Sequence, residues 1–240
     1  MKYLLGFMLL VAIFVVGKRS CHLNSFGFGI KGSGPAQTES RSVRDFHAVD
    51  LDIAGDVEVR VGDYNVEVQA QGNILPLLKT VVENGCLKIY FDESVSYTEN
   101  LKIIVTAPAY DAFTIGGSGE IRVLSSLESD KMAIDIGGSG DVFLSQGNFN
   151  TLSCIISGSG EVELGGKANS AQVNVSGSGE VRAKNMEFNS LDAQISGSGS
   201  VSANVLQTLK ADVSGSGDVF YLGSPSLETN VSGSGEVSRM

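Results

Sequence analysis

Tryptophan is absent from the 240 residues, histidine occurs twice, cysteine three times and proline four times. Each scarcity excludes something. With His22 and His47 as the only imidazoles, no Ser-His-Asp set can be assembled and no zinc-ligand spacing exists. Three cysteines do not make a disulfide framework, and Cys86 and Cys154 sit among apolar neighbours as small core residues would. Positive charge is also scarce: 17 Lys and Arg face 27 Asp and Glu. Such a surface repels phosphate backbones and offers no basic patch, which excludes nucleic acid as a partner. Long apolar runs are confined to Tyr3–Gly17, behind Lys2. That run is short of the roughly 20 residues of a membrane span. Residues 1–20 therefore read as a signal peptide or N-terminal anchor, outside the fold. Removing them takes away Lys2, Lys18 and Arg19, which leaves 14 of the 17 basic residues against 27 acidic ones, net −13.

What is present in excess is glycine, 30 residues, and it recurs in register. A Gly-Ser-Gly ending at Gly119 returns with its last glycine at Gly140, Gly160, Gly179, Gly199, Gly217 and Gly235, at intervals of 21, 20, 19, 20, 18 and 18 residues. Aligned on that glycine, Ile115, Ile136, Ile156, Val175, Ile195, Val213 and Val231 form one column four places before it. Ile121, Val142, Val162, Val181, Val201, Val219 and Val237 form another two places after it. Both are wholly β-branched. The column just before the first, with Thr114, Asp135, Ile155, Asn174, Gln194, Asp212 and Asn230, is largely polar, so inside and outside alternate at strand period. One copy cannot bury its aliphatic face alone, whereas copies stacked at about 4.8 Å per rung share a continuous core. The expected fold is all-β, a right-handed parallel β-helix with rungs of about 20 residues. A propeller blade needs about 40 residues, twice this period.

The bends supply two further columns. Ser118, Ser139, Ser159, Ser178, Ser198, Ser216 and Ser234 form a hydroxyl ladder, read as structural, since a sharp corner favours small residues. Immediately after each bend stand Glu120, Asp141, Glu161, Glu180, Ser200, Asp218 and Glu236. Stacked carboxylates about 5 Å apart repel one another, and a hard cation such as Ca²⁺ takes oxygen ligands. The six acids of this column, which Ser200 interrupts, are thus the one candidate metal site. The alternative is a row of solvated turn residues, with no cofactor at all.

Ahead of the repeats, residues 43–110 carry no clear copy of the bend. Val57, Val59, Val61, Val66 and Val68 still alternate as strand around a turn at Gly62-Asp63, and Asn84-Gly85 is a hairpin signal. Ile74 to Val82 is the only helical prospect, weakened by Pro76. This stretch is expected to be an irregular β region capping the open N-terminal end of the stack. Residues 21–42 read as a tether, and residues 111–240 as the β-helix.

Several short motifs add up to a family likeness: Phe28-Gly29-Ile30-Lys31-Gly32-Ser33-Gly34, Asp45-Phe46-His47-Ala48-Val49, Asn84-Gly85-Cys86-Leu87-Lys88-Ile89 and the string of Ile/Val-Ser-Gly-Ser-Gly-acid-Val copies. With these the chain resembles the bacterial auto-transporter adhesin, head GIN domain family over nearly all of residues 28–240. The resemblance implies a β-helical, secreted or lipid-anchored protein labelled as an adhesin. Cys21 is the residue that acylation would use, giving membrane attachment through the N-terminus, although Lys18, Arg19 and Ser20 depart from the usual lipobox. The expected function is a non-catalytic, exported envelope module, periplasmic or at the cell surface, that binds a protein or glycan. The alternative is a structural spacer or assembly unit that oligomerises through its terminal rung. A carbohydrate-active enzyme is the remote third reading, because rungs of 18 to 21 residues leave no long loops to build a catalytic cleft.

Overall fold

The computed structural model describes residues 29–240. The signal or anchor segment, Cys21 and His22 lie outside the described residues. From Gly119 onward the chain winds as a β-solenoid of about 6 turns with rungs about 20 residues apart. Successive rungs pair in parallel and in register: Ile136 opposes Ile156, which opposes Val175, which opposes Ile195, which opposes Val213. The two β-branched columns point inward and are buried as far as Val213 and Val219. Size alternates where a third inward column meets, with Phe149 over Ala168 over Phe188. Large beside small fills a stack of fixed spacing without voids.

The N-terminal region is more tightly woven into this stack than its sequence suggests. Strand Ala48–Leu51 pairs in parallel with Ala112–Ile115 on one side and with Cys86–Phe91 on the other. Strand Asp56–Val61 likewise lies between Glu120–Val123 and Lys102–Ala107. Residues 48–61 are therefore a true rung. Its bend is Ile53-Ala54-Gly55, and a Cβ placed on Gly119 would sit 2.6 Å from the carbonyl oxygens of Ile53 and Gly55. The chain then leaves this rung, lays residues 86–107 on its outer side, and crosses back to Ala112 on its inner side. Tyr110 pins the crossing: it is buried against Phe113, with its hydroxyl 3.1 Å from the carbonyls of Arg60 and Val105.

Antiparallel strands close this end. Leu78–Glu83 pairs with Cys86–Phe91 through a two-residue turn in which Asn84 (φ 52°) and Gly85 (φ 77°) are both left-handed, the geometry that makes Asn-Gly a hairpin signal. On the other face Asn65–Gln71 pairs antiparallel with Lys102–Ala107, and Ala36–Arg41 with Asn65–Gln71. Two expectations need correction. The described part of the 21–42 tether is not free chain: Ile30–Lys31 pairs with Val95–Tyr97, and Ala36–Arg41 satisfies the backbone groups of an edge that would otherwise stand open. Residues 74–82 do not form a helix, because the turn closed by Gln71, Ile74 and Leu78 leads directly into the Leu78–Glu83 strand.

At the C-terminal end the last rung, Ser226–Gly233 and Glu236–Arg239, pairs on one side only. Its inward positions are uncovered: Leu227 is 47% exposed and Val231 41%.

Candidate functional site

The outer surface presents the same side-chain type rung after rung, so any site on it is a ladder. The acidic ladder lies where the sequence places it, with Glu120 opposite Asp141, Asp141 opposite Glu161, Glu161 opposite Glu180, and Asp218 opposite Glu236. The acids do not face one another undiluted. Arg122 reaches Glu120 at 2.7 Å and stacks 4.2 Å over the Phe143 ring. Arg182 grips Glu180 at 2.8 Å and also Glu161. The carboxylates of Asp141 and Asp218 instead accept the backbone N–H of the next rung's acid, Glu161 at 3.0 Å and Glu236 at 2.9 Å. Partial burial, with the charges of Glu180, Asp141 and Glu163 adding to it, raises the Glu161 carboxyl above its ordinary value against the pull of Arg182. Among the described residues no group of three or more His, Cys, Asp or Glu is placed to hold a metal ion.

A second ladder was overlooked in the sequence. Asn189 donates to Asn169 at 3.0 Å, Asn169 to Asn150 at 3.0 Å, and Asn150 to Asp130 at 3.2 Å. These residues stand ten places before the reference glycines Gly199, Gly179, Gly160 and Gly140, so extending the column alignment backwards would have found them. Asn150 and Asn169 each donate to the rung below and accept from the rung above, which makes this corner a structural chain.

The remaining reactive groups gather near the N-terminal end. His47 Nδ1 lies 2.8 Å from Asp111 Oδ1, both exposed, and the neighbouring Cys86 is free and half-buried. An imidazole, a carboxylate and a thiol are the parts of a nucleophilic site. Here burial and the negative charges of Asp50, Asp111 and Glu83 raise the thiol above its ordinary value, the opposite of the depressed value an attacking thiolate needs. Cys154 is fully buried, and desolvation pushes its thiol up to about 12. This geometry offers side chains that position and bind, repeated along an axis.

A family model described as "Putative auto-transporter adhesin, head GIN domain" matches residues 45–225. A solved structure from Bacteroides fragilis described as a putative adhesin is 25% identical, superposes with a TM-score of 0.84, and covers 88% of this chain and 100% of its own. One from Parabacteroides distasonis described as a putative lipid binding protein is 26% identical, with a TM-score of 0.75 and coverage of 88% and 99%. One from Parabacteroides merdae, also described as a putative adhesin, shares the fold at 21% identity and a TM-score of 0.73, with coverage of 88% and 98%. No curated protein matches the chain.

Proposed function

The chain belongs to the auto-transporter adhesin, head GIN domain family, and from that premise we propose that it is a non-catalytic, exported cell-envelope module that binds its partner across the stacked outer surface. The observation that carries this reading is the register of the ladders. Identical polar groups repeated at about 4.8 Å suit many weak contacts along one direction, whereas a catalyst concentrates different groups at one point. The interior columns are filled by the protein's own aliphatic side chains, which favours a surface ligand over one enclosed in the core. Export rests on the Lys2 and Tyr3–Gly17 pattern, and attachment to the membrane on acylation of Cys21. The partner is a protein or a glycan.

A second reading has one observation in its favour. The uncovered Leu227 and Val231 of the last rung suit an assembly unit that packs end on against another copy. Deleting the gene in the native bacterium separates the two. Loss of attachment to a glycan- or protein-coated surface, restored by the wild-type gene, supports the binding module. Unchanged attachment on every surface, together with increased detergent sensitivity of the envelope, supports the spacer. Fractionation of a Cys21→Ser variant tests the anchor: release from the membrane fraction is the expected result, and unchanged membrane association removes the lipid.

A further inference from the structure

The Gly-Ser-Gly bend takes two forms along the stack. At the earlier rungs the parallel pairing stops at the inward aliphatic residue, as at Ile136 against Ile156 and Ile156 against Val175. From Val175 onward it runs two residues further, with Ser176 opposite Ser196, Ser196 opposite Ser214 and Ser214 opposite Ser232. The glycines after those serines take φ values of 122° at Gly177, 128° at Gly197, 121° at Gly215 and 129° at Gly233. A side chain there would be strained in conformation and would strike the carbonyl oxygen of the glycine one rung below. Over these four rungs the extended bend raises a row of serines beside the outward column that stands two residues earlier in the same strands. Between them lies an open groove of about 500 Å³, walled by Ser176, Ser196 and Ser214 on one side and by Asn174, Gln194 and Asp212 on the other.

We infer that this groove is a binding site for a neutral, extended, β-linked polysaccharide running along the stack axis. The inference rests on the binding-module reading above and names its ligand class. Amides and hydroxyls donate and accept at once, as sugar hydroxyls do. The carboxylate in the groove, Asp212, is paired with Lys210 at 3.3 Å, and the chain's net charge of −10 disfavours a polyanionic glycan. The backbone along the groove is already committed to its neighbouring rungs, so a peptide would find no strand edge to extend. The wall groups recur at the rung spacing of about 4.8 Å, close to the rise per unit of an extended β-linked sugar chain and unlike that of a coiled α-linked one. Four rungs therefore address about four consecutive sugars, and weak contacts accumulate along the chain.

The test is calorimetric titration of the full-length protein with cello- and chito-oligosaccharides of two to six units, with maltohexaose and oligogalacturonate as the coiled and the anionic comparisons. Affinity for at least one β-linked series should rise up to four units and then level, with neither comparison binding. A Gln194→Ala, Ser196→Val double variant, whose residues are exposed and whose melting should be unchanged, should lose affinity by about tenfold. Arg182→Ala, on another face, should lose none. Absence of binding by every β-linked oligomer, or binding indifferent to the double variant, overturns the groove assignment, as does binding only to phospholipid vesicles. If cells still attach through the protein while oligosaccharides fail, the ligand class is wrong and the adhesion reading stands. If attachment also fails, both fall.

Discussion

The two ends of the stack solve the same problem differently. At the N-terminal end, residues 86–107 are laid outside the older rung 48–61, and antiparallel strands then cover both faces. The outermost of these, Ala36–Arg41, is polar after its first residue, which suits an exposed edge. At the C-terminal end the rung of Ser226–Gly233 and Glu236–Arg239 pairs on one side, and its inward Leu227 and Val231 are exposed. Closure required a segment that breaks both the period and the order of the chain, and it places the longest-range contacts at the N-terminal end, where folding pays the most loop-closure entropy.

The sharpest way to break this comparison uses one column at two heights. Val175 and Val231 occupy equivalent positions, but Val175 is 2% exposed and Val231 41%. Val175→Asp should cost about 3 kcal/mol or more, since it buries a carboxylate among aliphatic rungs. Val231→Asp should cost about 0.5 kcal/mol or less, and so should Gln194→Glu, exposed on the outer face. Thermal melts measure all three, and equal losses at Val175 and Val231 would mean that the last rung is covered in solution.

Next in size is the crossing at the closed end. Tyr110→Phe keeps the ring and removes a hydroxyl held between the carbonyls of Arg60 and the buried Val105, for an expected loss of about 1 to 2 kcal/mol. Hydrogen exchange reads the same contrast without mutation. Amides of residues 48–61, paired on both sides, should open only with global unfolding, while those of residues 226–239 exchange through local fraying. Equal protection of the two segments would erase the difference between the ends.

How far the sequence revealed this depends on the same asymmetry. The rungs from Gly119 to Gly235 were legible because stacking forces like residues onto like, so spacing, inward columns and acidic ladder all stand in the alignment. The rung at Gly55 was missed because its bend, Asp52-Ile53-Ala54-Gly55-Asp56, keeps only the last glycine and the acid. The Ala36–Arg41 strand was missed because, exposed up to Arg41, it has no apolar alternation to read. The groove was hidden for a different reason. Ser157-Gly158 and Ser176-Gly177 are identical in sequence, yet only the second carries the positive φ and the extended pairing, and that choice belongs to the stack as a whole.

The smallest expected effect concerns the acidic ladder. Unpaired carboxylates at rung spacing would store a few tenths of a kcal/mol per rung, screened by salt, and divalent cations would then stabilise the fold beyond their ionic strength. In the earlier rungs Arg122 and Arg182 already hold Glu120, Glu161 and Glu180. In the later ones Ser200 interrupts the ladder and Asp218 spends an oxygen on the Glu236 amide. Millimolar Ca²⁺ or Mg²⁺ should therefore raise the melting temperature no more than NaCl of matched ionic strength. A calcium-specific rise that vanishes in an Asp141→Asn, Glu161→Gln double variant would reverse this and place the cation in the arginine-paired half. A rise that survives there but vanishes in Asp218→Asn would place it in the later half, where Asp218 and Glu236 stand on adjacent rungs.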